Sequence, residues 1–308
     1  MVLNSYAKLN LYLEVLNIRQ DKFHNIKTIF ERIDLSDRII LKPRLDTKIK
    51  IICKDPGVPG GNTNLCYRAA KLLKEGFSIE RGVDIKIIKR IPVGAGLGGG
   101  SSNAASTFLG LNKLWKLRLP QDKLARLAKN IGSDIPFFIY NTPFAKGLGR
   151  GERIEALRVP KSLRLWHILV VPQLRVSTPF IYGKWDKMAY SGLTPPFLSI
   201  KRSEKKERAG LTRPKYDVKI IISELRRNAL PLAGGLLFNS LEEITLRLYP
   251  AVQRVKERLE DLGLKSILMS GSGPAVFGIV SSRKEAVALS RKLKKQDRSL
   301  RVFVTRTH

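Results

Sequence analysis

The sequence has few of the residues from which disulfide frameworks and metal centres are built. Its 308 residues include two cysteines, Cys53 and Cys66, and three histidines. Two cysteines without metal-ligand spacing exclude a disulfide-stabilised scaffold, and the scattered histidines argue against a histidine metal site. No apolar run approaches the roughly 20 residues of a membrane-spanning helix. The N-terminus also lacks a secretory pattern, so we expect a cytoplasmic protein without a membrane partner.

Acidic residues are also scarce relative to basic ones. The chain contains 57 Lys and Arg against 26 Asp and Glu, which gives a formal net charge of +31. Such a charge raises the local concentration of anions and supports non-specific binding to nucleic acid. The basic residues are spread along the chain, and no zinc-finger, helix-turn-helix or RNA-binding aromatic pattern accompanies them. We therefore interpret the charge as a general compositional bias that also suits anionic substrates, and expect no dedicated nucleic-acid partner.

Glycine, in contrast, is concentrated in the stretch Pro92-Val-Gly-Ala-Gly-Leu-Gly-Gly-Gly-Ser-Ser-Asn-Ala-Ala105. Each glycine costs about 1 kcal/mol against alanine in a regular element, but it lets the backbone reach positive φ and lie against a ligand. Residues 83–91 alternate apolar and polar side chains, which predicts a strand, and residues 101–115 predict a helix. A glycine loop between a strand and a helix N-terminus is an anion site, so we interpret this stretch as a phosphate cradle.

Two better-known glycine loops are excluded by the neighbouring residues. A Walker loop needs a lysine where this chain has Gly100. A dinucleotide fingerprint is formally matched by Gly94, Gly96 and Gly99, but the acidic residue expected about 20 positions later is missing from the Lys-Leu-Arg-Leu-Pro run at 116–120. A simple structural turn is the remaining alternative. Five glycines in seven positions followed by Ser-Ser-Asn argue against it.

On local pattern alone, each of three further polar residues, Lys8, Asn10 and Asp134, has two interpretations. Lys8 and Asn10 lie one strand period apart in a predicted strand at 5–13, which indicates either a cleft or, as we favour from this pattern, a solvated strand face. Asp134 follows a predicted helix at 120–129 that opens with proline, and its position favours a helix cap over a catalytic group. Asn64 is predicted to cap a helix at 65–73.

The remaining pattern predicts a second half built from alternating strands and helices. A strand at 163–171 begins a C-terminal domain, so we divide the chain into domains 1–160 and 161–308. Residues 186–214 are rich in Lys, Arg and Pro and predict a mobile surface insertion. Other predictions are a strand at 49–53, a turn at 36–37 before a strand at 38–41, a flexible turn at 144–152, helices at 238–248, 251–262 and 284–295, a strand–turn–strand unit at 266–280 and a final strand at 301–305.

These motifs together resemble those of the GHMP small-molecule kinases. The stretch 92–105 resembles the ATP-binding loop of that family, Ser5-Tyr-Ala-Lys-Leu-Asn10 resembles its first motif, and Met269-Ser-Gly-Ser-Gly-Pro274 its third. The resemblance runs in the expected order from residue 5 to about residue 280. Two departures are Tyr6, where the family usually has proline, and Phe23, where it usually has tyrosine. Phe23 keeps a ring for stacking but loses a hydroxyl group.

The resemblance implies an α+β fold of two domains with the active site in the cleft between them. It also implies transfer of the γ-phosphoryl group of ATP, with Mg²⁺, to an alcohol. It makes Lys8 and Asp134 the catalytic pair: Lys8 would neutralise the transferring group and keep Asp134 ionised, and Asp134 would accept the proton of the attacking hydroxyl. The ATP-binding residues so implied are Asn64, Pro92, Val93, Gly94, Ala95, Gly96, Leu97, Gly98, Gly99, Gly100, Ser101 and Ser102, with Ser102 also a Mg²⁺ ligand.

Within the family, the chain most resembles a branch whose acceptor is a cytidyl-diphosphate sugar alcohol of isoprenoid precursor synthesis. That branch implies a cytosine between Phe23 and Tyr182, with His24 at its edge. The other acceptor residues so implied are Asn10, Ser177, Thr178, Gly271, Ser272 and Gly273. The alternatives are a family member acting on mevalonate, homoserine or a sugar, and a basic nucleic-acid-binding protein on a kinase scaffold. The sequence leaves monomer and homodimer open.

Overall fold

The computed structural model describes residues 1–190, 217–229 and 235–308, apart from the side chain of Tyr190. In this described part of the chain, seven strands form one mixed sheet and four strands form a second, antiparallel sheet. Helices pack on both. The predicted α+β class is confirmed. No helix of these residues has the length and apolar character needed to cross a membrane.

The first sheet is organised around a long antiparallel hairpin, β1 (Val2–Ile18) and β2 (His24–Pro43). Leu9 and Leu11 of β1 are fully buried, as the alternation of apolar and polar residues predicts. The other strands are β3 (Ile49–Cys53), β4 (Val83–Ile88), β5 (Phe144–Gly149), β6 (Arg153–Ala156) and β8 (Phe238–Asn239). The strand order is β3-β4-β2-β1-β8, and β5 joins β2 to β6.

Four helices cover one side of the first sheet and enclose a core of their own. The helices are α1 (Leu65–Gly76), α2 (Gly99–Leu114), α3 (Gln121–Ala128) and α4 (Ile135–Tyr140). Helix α2 packs on β1 and β2, and its Phe108 is fully buried among residues that include Ala70 and Phe137. Asn64 caps α1 as predicted, because its side chain accepts a hydrogen bond from the Cys66 amide at 2.8 Å.

The second sheet is built from the C-terminal half, with strands β7 (Trp166–Val171), β9 (Ile267–Met269), β10 (Val276–Val280) and β11 (Arg301–Arg306). Their order is β11-β7-β10-β9. The described helices of this half are α5 (Thr178–Tyr190), α6 (Val218–Arg227), α7 (Glu242–Leu248), α8 (Pro250–Asp261) and α9 (Arg283–Gln296). The strand–turn–strand unit predicted at 266–280 is confirmed.

The two halves share a continuous core. One hydrophobic cluster includes Leu9 and Ile33 of the first sheet together with Leu169 and Phe277 of the second. The short strand β8 belongs to the C-terminal half of the sequence but pairs parallel with β1. The domain boundary near residue 160 stays a prediction. Both halves contribute side chains to the cleft between them.

Three local predictions are wrong for identifiable reasons. The predicted turn at 36–37 lies inside β2, which accommodates extra residues opposite the Tyr6–Ala7 step by a shift in register. The predicted flexible turn at 144–152 is mostly β5, paired with β2, since pairing overrides its glycines. The helix predicted at 238–248 begins only at Glu242, because Phe238 and Asn239 pair with β1.

Of the predicted insertion at 186–214, residues 186–190 end α5 and the rest lie outside the described residues.

Candidate active site

A cavity of about 830 Å³ lies where the glycine loop, the β1–β2 hairpin, α5 and the turn between β9 and β10 meet. It is large enough for a drug-sized ligand. The predicted site residues on its wall are Lys8, Asn10, Phe23, His24, Asn64, Pro92, Val93, Gly94, Ala95, Gly96, Leu97, Gly98, Gly99, Gly100, Ser101, Asp134, Thr178, Tyr182, Gly271 and Ser272. Residues more than 250 positions apart in sequence therefore border one cavity.

Three predicted site residues do not line this cavity. Ser102 is buried on α2, and the neighbouring Ser101 lies on the wall instead. Ser177 is exposed just before α5, and Gly273 is buried in the turn between β9 and β10. Their roles in binding stay predictions.

The glycine loop has the backbone that a phosphate cradle needs. Gly94, Gly96 and Gly98 all have positive φ, between 66° and 75°. A Cβ on Gly96 would lie 2.0 Å from the carbonyl oxygen of Ser270, so the close approach of two backbones requires glycine there. Gly98 precedes α2, and no side chain caps this helix. The first amide groups of α2 are therefore available to an anion at the positive end of the helix dipole.

The sequence interpretation missed the residue that fastens this loop. Asp37 of β2 is fully buried and accepts hydrogen bonds from the Arg90 and Ile91 amides at 2.7 and 2.9 Å, just before the loop. It also accepts from the Asn103 side chain of α2 at 2.9 Å and pairs with the Lys89 ammonium. Both ends of the loop are thus tied to one carboxylate. Its place in a predicted turn hid this role.

Lys8 is buried rather than solvated. It is 4% exposed, and its ammonium donates to the Gly96 carbonyl at 2.6 Å and to the side-chain oxygen of Asn10. Burial lowers the pKa of Lys8, while the negative charge of Asp134 acts in the opposite direction. Asn10 in turn donates to Thr28 at 2.8 Å. The solvated strand face favoured from local pattern is therefore wrong.

Asp134 has the position of a helix cap but not the function of one. It precedes α4, yet its φ of −82° and ψ of −12° are helical and its side chain caps no amide. The carboxylate lies on the cavity wall together with Lys8. These two described side chains form no direct ion pair, since the Lys8 ammonium donates to Gly96 and Asn10. The Asp134 carboxylate is thus left available to a ligand hydroxyl.

Aromatic side chains and a histidine form an aromatic end of the cavity. The Phe23 ring is 52% exposed, with the Arg150 guanidinium 4.8 Å from its centre. The imidazole of His24 lies 4.9 Å from the ring of Tyr182 and is bonded to the carboxylate of Asp186 at 2.6 Å. Burial raises the pKa of Tyr182, and the charge of Asp134 raises it further, so its hydroxyl stays protonated. This end suits a planar, polar ring.

Side chains from the second half hold the turn between β9 and β10 against the cavity. The hydroxyls of Thr178 and Ser272 are 2.7 Å apart. Asn239 donates to the carbonyl groups of Met269 and Gly271, both at 2.7 Å. Asn239 was missed because its segment was assigned to a helix. The available signal was the polar pair Asn239-Ser240 directly after an apolar run.

The residues on the wall fit a bound nucleoside triphosphate better than a preformed metal centre. Within the described residues, no group of three or more His, Cys, Asp and Glu side chains is placed to hold a metal ion. Mg²⁺ characteristically keeps several waters and binds through one or two carboxylates together with substrate phosphates. The wall carries two carboxylates, Asp134 and Asp186, of which Asp186 is bonded to His24, so Asp134 beside the glycine loop is compatible with that mode.

Comparison with known proteins identifies the class of protein to which this chain belongs. Residues 64–142 match the model of the GHMP kinases N terminal domain, and residues 221–298 match that of the GHMP kinases C terminal. The chain therefore belongs to the GHMP kinases and uses ATP. A solved homoserine kinase from Cytophaga hutchinsonii covers all of this chain and 94% of its own with a TM-score of 0.66, at 18% identity, and shows the same fold.

Within that class, the more similar proteins share one name. The chain is 42% identical over 282 residues to 4-diphosphocytidyl-2-C-methyl-D-erythritol kinase of Geobacillus sp. (strain WCH70), covering 91% of this chain and 88% of the relative. The solved structure of a 4-(cytidine 5'-diphospho)-2C-methyl-D-erythritol kinase is 32% identical and matches with a TM-score of 0.76 over the full length of both chains. The resemblance first recognised from the motifs is confirmed.

Proposed function

We propose that this protein transfers the γ-phosphoryl group of ATP to the 2-hydroxyl group of 4-diphosphocytidyl-2-C-methyl-D-erythritol, a step of non-mevalonate isoprenoid precursor synthesis. The observation that carries the proposal is the 42% identity over 91% of the chain to a kinase named for that substrate. The cavity supports it, because it joins a phosphate-binding loop to an aromatic end that suits a pyrimidine.

Phosphoryl transfer depends mainly on positioning and on neutralising charge at the transferring oxygens. The amide groups at the start of α2 hold the ATP phosphates, and Mg²⁺ would supply further charge neutralisation. Lys8, fixed by Gly96 and Asn10, places a positive charge beside the loop. Asp134 orients the acceptor hydroxyl and accepts its proton as the new P–O bond forms, while ADP leaves.

The acceptor lies along the cavity wall between the turn that joins β9 to β10 and the aromatic end. Phe23 and Tyr182 provide ring faces for the cytosine, and His24 lies at its edge. Gly271 and Ser272, which line the same cavity, bind the diphosphate in this proposal. Small acceptors such as mevalonate or homoserine have no ring to occupy this end, which speaks against that alternative.

The test is release of ADP by the purified protein supplied with ATP and Mg²⁺. Parallel reactions contain 4-diphosphocytidyl-2-C-methyl-D-erythritol, mevalonate or homoserine. We expect turnover with the cytidyl compound alone. Turnover with another alcohol would keep the ATP site, Lys8 and Asp134 but overturn the proposed acceptor. If ATP binds and no acceptor is phosphorylated, the kinase proposal itself fails, and nucleic-acid binding at physiological salt becomes the next measurement.

A further inference from the structure

The side chain of His24 is held by residues of α5 on more than one side. His24 is 7% exposed, and its imidazole lies 4.9 Å from the Tyr182 ring and meets the Trp185 ring edge-on at 5.5 Å. Its Nε2 atom is 2.6 Å from the Oδ1 atom of Asp186. Tyr182, Trp185 and Asp186 follow the helical spacing of i, i+3 and i+4, so they present one face of α5 to the imidazole.

The partner of Nε2 determines which nitrogen of the neutral ring carries the proton. A carboxylate only accepts hydrogen bonds, so we assign the proton to Nε2, which donates it to Asp186. The other nitrogen, Nδ1, is then an acceptor in the neutral ring. Among the described residues Nδ1 has no hydrogen-bond partner. His24, Asp186 and Tyr182 all border the cavity, and we therefore place a ligand ring against this acceptor.

An acceptor at this place distinguishes pyrimidines by the group on carbon 4. Cytosine carries an amino group there, which donates hydrogen bonds, whereas uracil carries a carbonyl oxygen, which only accepts them. Two facing acceptors repel and leave buried polar atoms unpaired, which penalises the wrong ligand strongly. We infer that Asp186 is a positioning residue which fixes His24 as a hydrogen-bond acceptor, and that it thereby selects a cytidine over a uridine nucleotide in the acceptor site.

This inference rests on the proposed function, because it concerns the acceptor half of the same cavity. Within the described residues, Asp186 forms its hydrogen bond with His24 and none with the glycine loop or Asp134. The inference therefore predicts a change in base preference with ATP binding intact, which a general structural defect would not produce.

The test compares binding of CDP and UDP to the full-length protein by calorimetry, with the ATP site saturated by a non-hydrolysable ATP analogue. The wild-type protein should bind CDP at least about tenfold more tightly than UDP. In Asp186→Asn the amide both donates and accepts, so either tautomer of His24 is allowed. The preference should then fall to within about threefold, mainly through weaker CDP binding. Asp186→Ala, which removes the acceptor, should lose the preference in the same way.

Two controls separate positioning from folding. Asp261→Asn removes an exposed carboxylate at the end of α8 and should keep the wild-type preference. The affinity for the ATP analogue should be equal in all variants, which reports a folded protein. A nitrogen-15 spectrum of the imidazole groups gives the tautomer directly. With three histidines in the chain, His24→Gln assigns the His24 signals by their disappearance.

The outcomes separate this inference from the proposed function. If the wild-type protein prefers CDP and Asp186→Asn keeps the same preference, the role of Asp186 is overturned and the proposed function stands. A wild-type His24 signal with the proton on Nδ1 also overturns it. If the wild-type protein shows no preference for CDP and does not phosphorylate the cytidyl substrate, the proposed function has failed. Loss of preference with the shifted tautomer supports both.

Discussion

The candidate site depends on two side chains whose environments differ although they border the same cavity. Lys8 is 4% exposed and has its ammonium committed to Gly96 and Asn10, so its charge is held in place rather than hydrated. Asp134 caps no helix and forms no ion pair with a lysine of the described residues, so its carboxylate is available to a ligand hydroxyl. A fixed cation beside an available base is the combination that phosphoryl transfer to an alcohol needs.

Asp134→Asn should reduce turnover by about 100-fold or more, because an amide cannot accept the hydroxyl proton. The affinity for ATP should remain nearly unchanged, since the glycine loop is untouched. Steady-state ADP release and equilibrium ATP binding measure the two quantities. Asp122→Asn on α3, whose carboxylate bonds the Tyr140 hydroxyl at 3.0 Å, is the matched control and should retain activity. Turnover within about threefold of wild type, a barrier change below 1 kcal/mol, would show that Asp134 is not the base.

The pH dependence of turnover should report the charge of Lys8. Burial lowers the pKa of Lys8 below its ordinary value of 10.5. As the pH rises through the lowered pKa, the ammonium loses its proton and its stabilising charge, so kcat should fall at a pH below 10.5. In Lys8→Arg the guanidinium stays protonated, so this alkaline decline should disappear although kcat is lower. If turnover of Lys8→Arg shows the same alkaline decline, a group other than Lys8 causes that decline. Lys71→Arg on α1 is the control.

The glycine loop works as an element because other elements hold it in place. Asp37 ties its two ends, Lys8 donates to the Gly96 carbonyl, and the Ser270 hydroxyl donates to the same oxygen at 3.1 Å. The loop carries little conformational freedom of its own in this setting, so its amide groups are directed before a phosphate arrives. That preorganisation lowers the cost of binding.

Gly96→Ala should impair the glycine loop more than the small size of the added methyl group suggests. A Cβ at this position meets the Ser270 carbonyl oxygen at 2.0 Å, and φ is +75°. Because the atoms that this Cβ would meet are backbone atoms of Ser270 and Gly273, either the glycine loop or the turn between β9 and β10 must move. We expect ATP affinity to fall at least about tenfold, or about 1.4 kcal/mol. Gly60→Ala is the control, since nothing lies within 4 Å of its Cβ. Calorimetric binding of ATP to both variants checks this; equal affinities would contradict the close approach.

At the scale of the whole molecule, the C-terminal end of β11 fastens the two sheets together. The Thr307 hydroxyl donates to the buried Glu31 carboxylate at 2.6 Å and accepts from the Leu165 amide at 2.8 Å. Glu31 also bonds His167 across the sheets at 2.9 Å, and both side chains are fully buried. Since Glu31 pairs with Leu9 in the hairpin that carries Lys8, this junction supports the strand behind the site.

Thr307→Val should destabilise the protein by about 2 kcal/mol, because valine has a similar shape and leaves a buried carboxylate oxygen and an amide without this partner. Urea denaturation followed by circular dichroism measures the change in the free energy of unfolding. Thr47→Val, at an exposed position, should change it by less than about 0.5 kcal/mol. If the two variants are equally stable, the Thr307 hydrogen bonds do not hold the sheets together.

Several features of this protein were determined by the sequence alone, because they depend on residues close together in the chain. The concentration of glycine between a strand and a helix predicts a phosphate cradle, and Asn64 predicts its helix cap. Both depend on backbone geometry that neighbouring residues set. The motifs in their order were sufficient to indicate the family.

Only the tertiary structure decided the roles that depend on distant contacts. The alternation in β1 places Lys8 and Asn10 on one face, but their burial requires the loop at 96 and the turn at 270, far along the chain. Asp37 looks like a turn residue until β4 and α2 surround it, and Phe238 and Asn239 read as helix until β1 pairs with them. Local propensities differ by about 1 kcal/mol or less per residue, and burial and pairing with distant segments outweigh them.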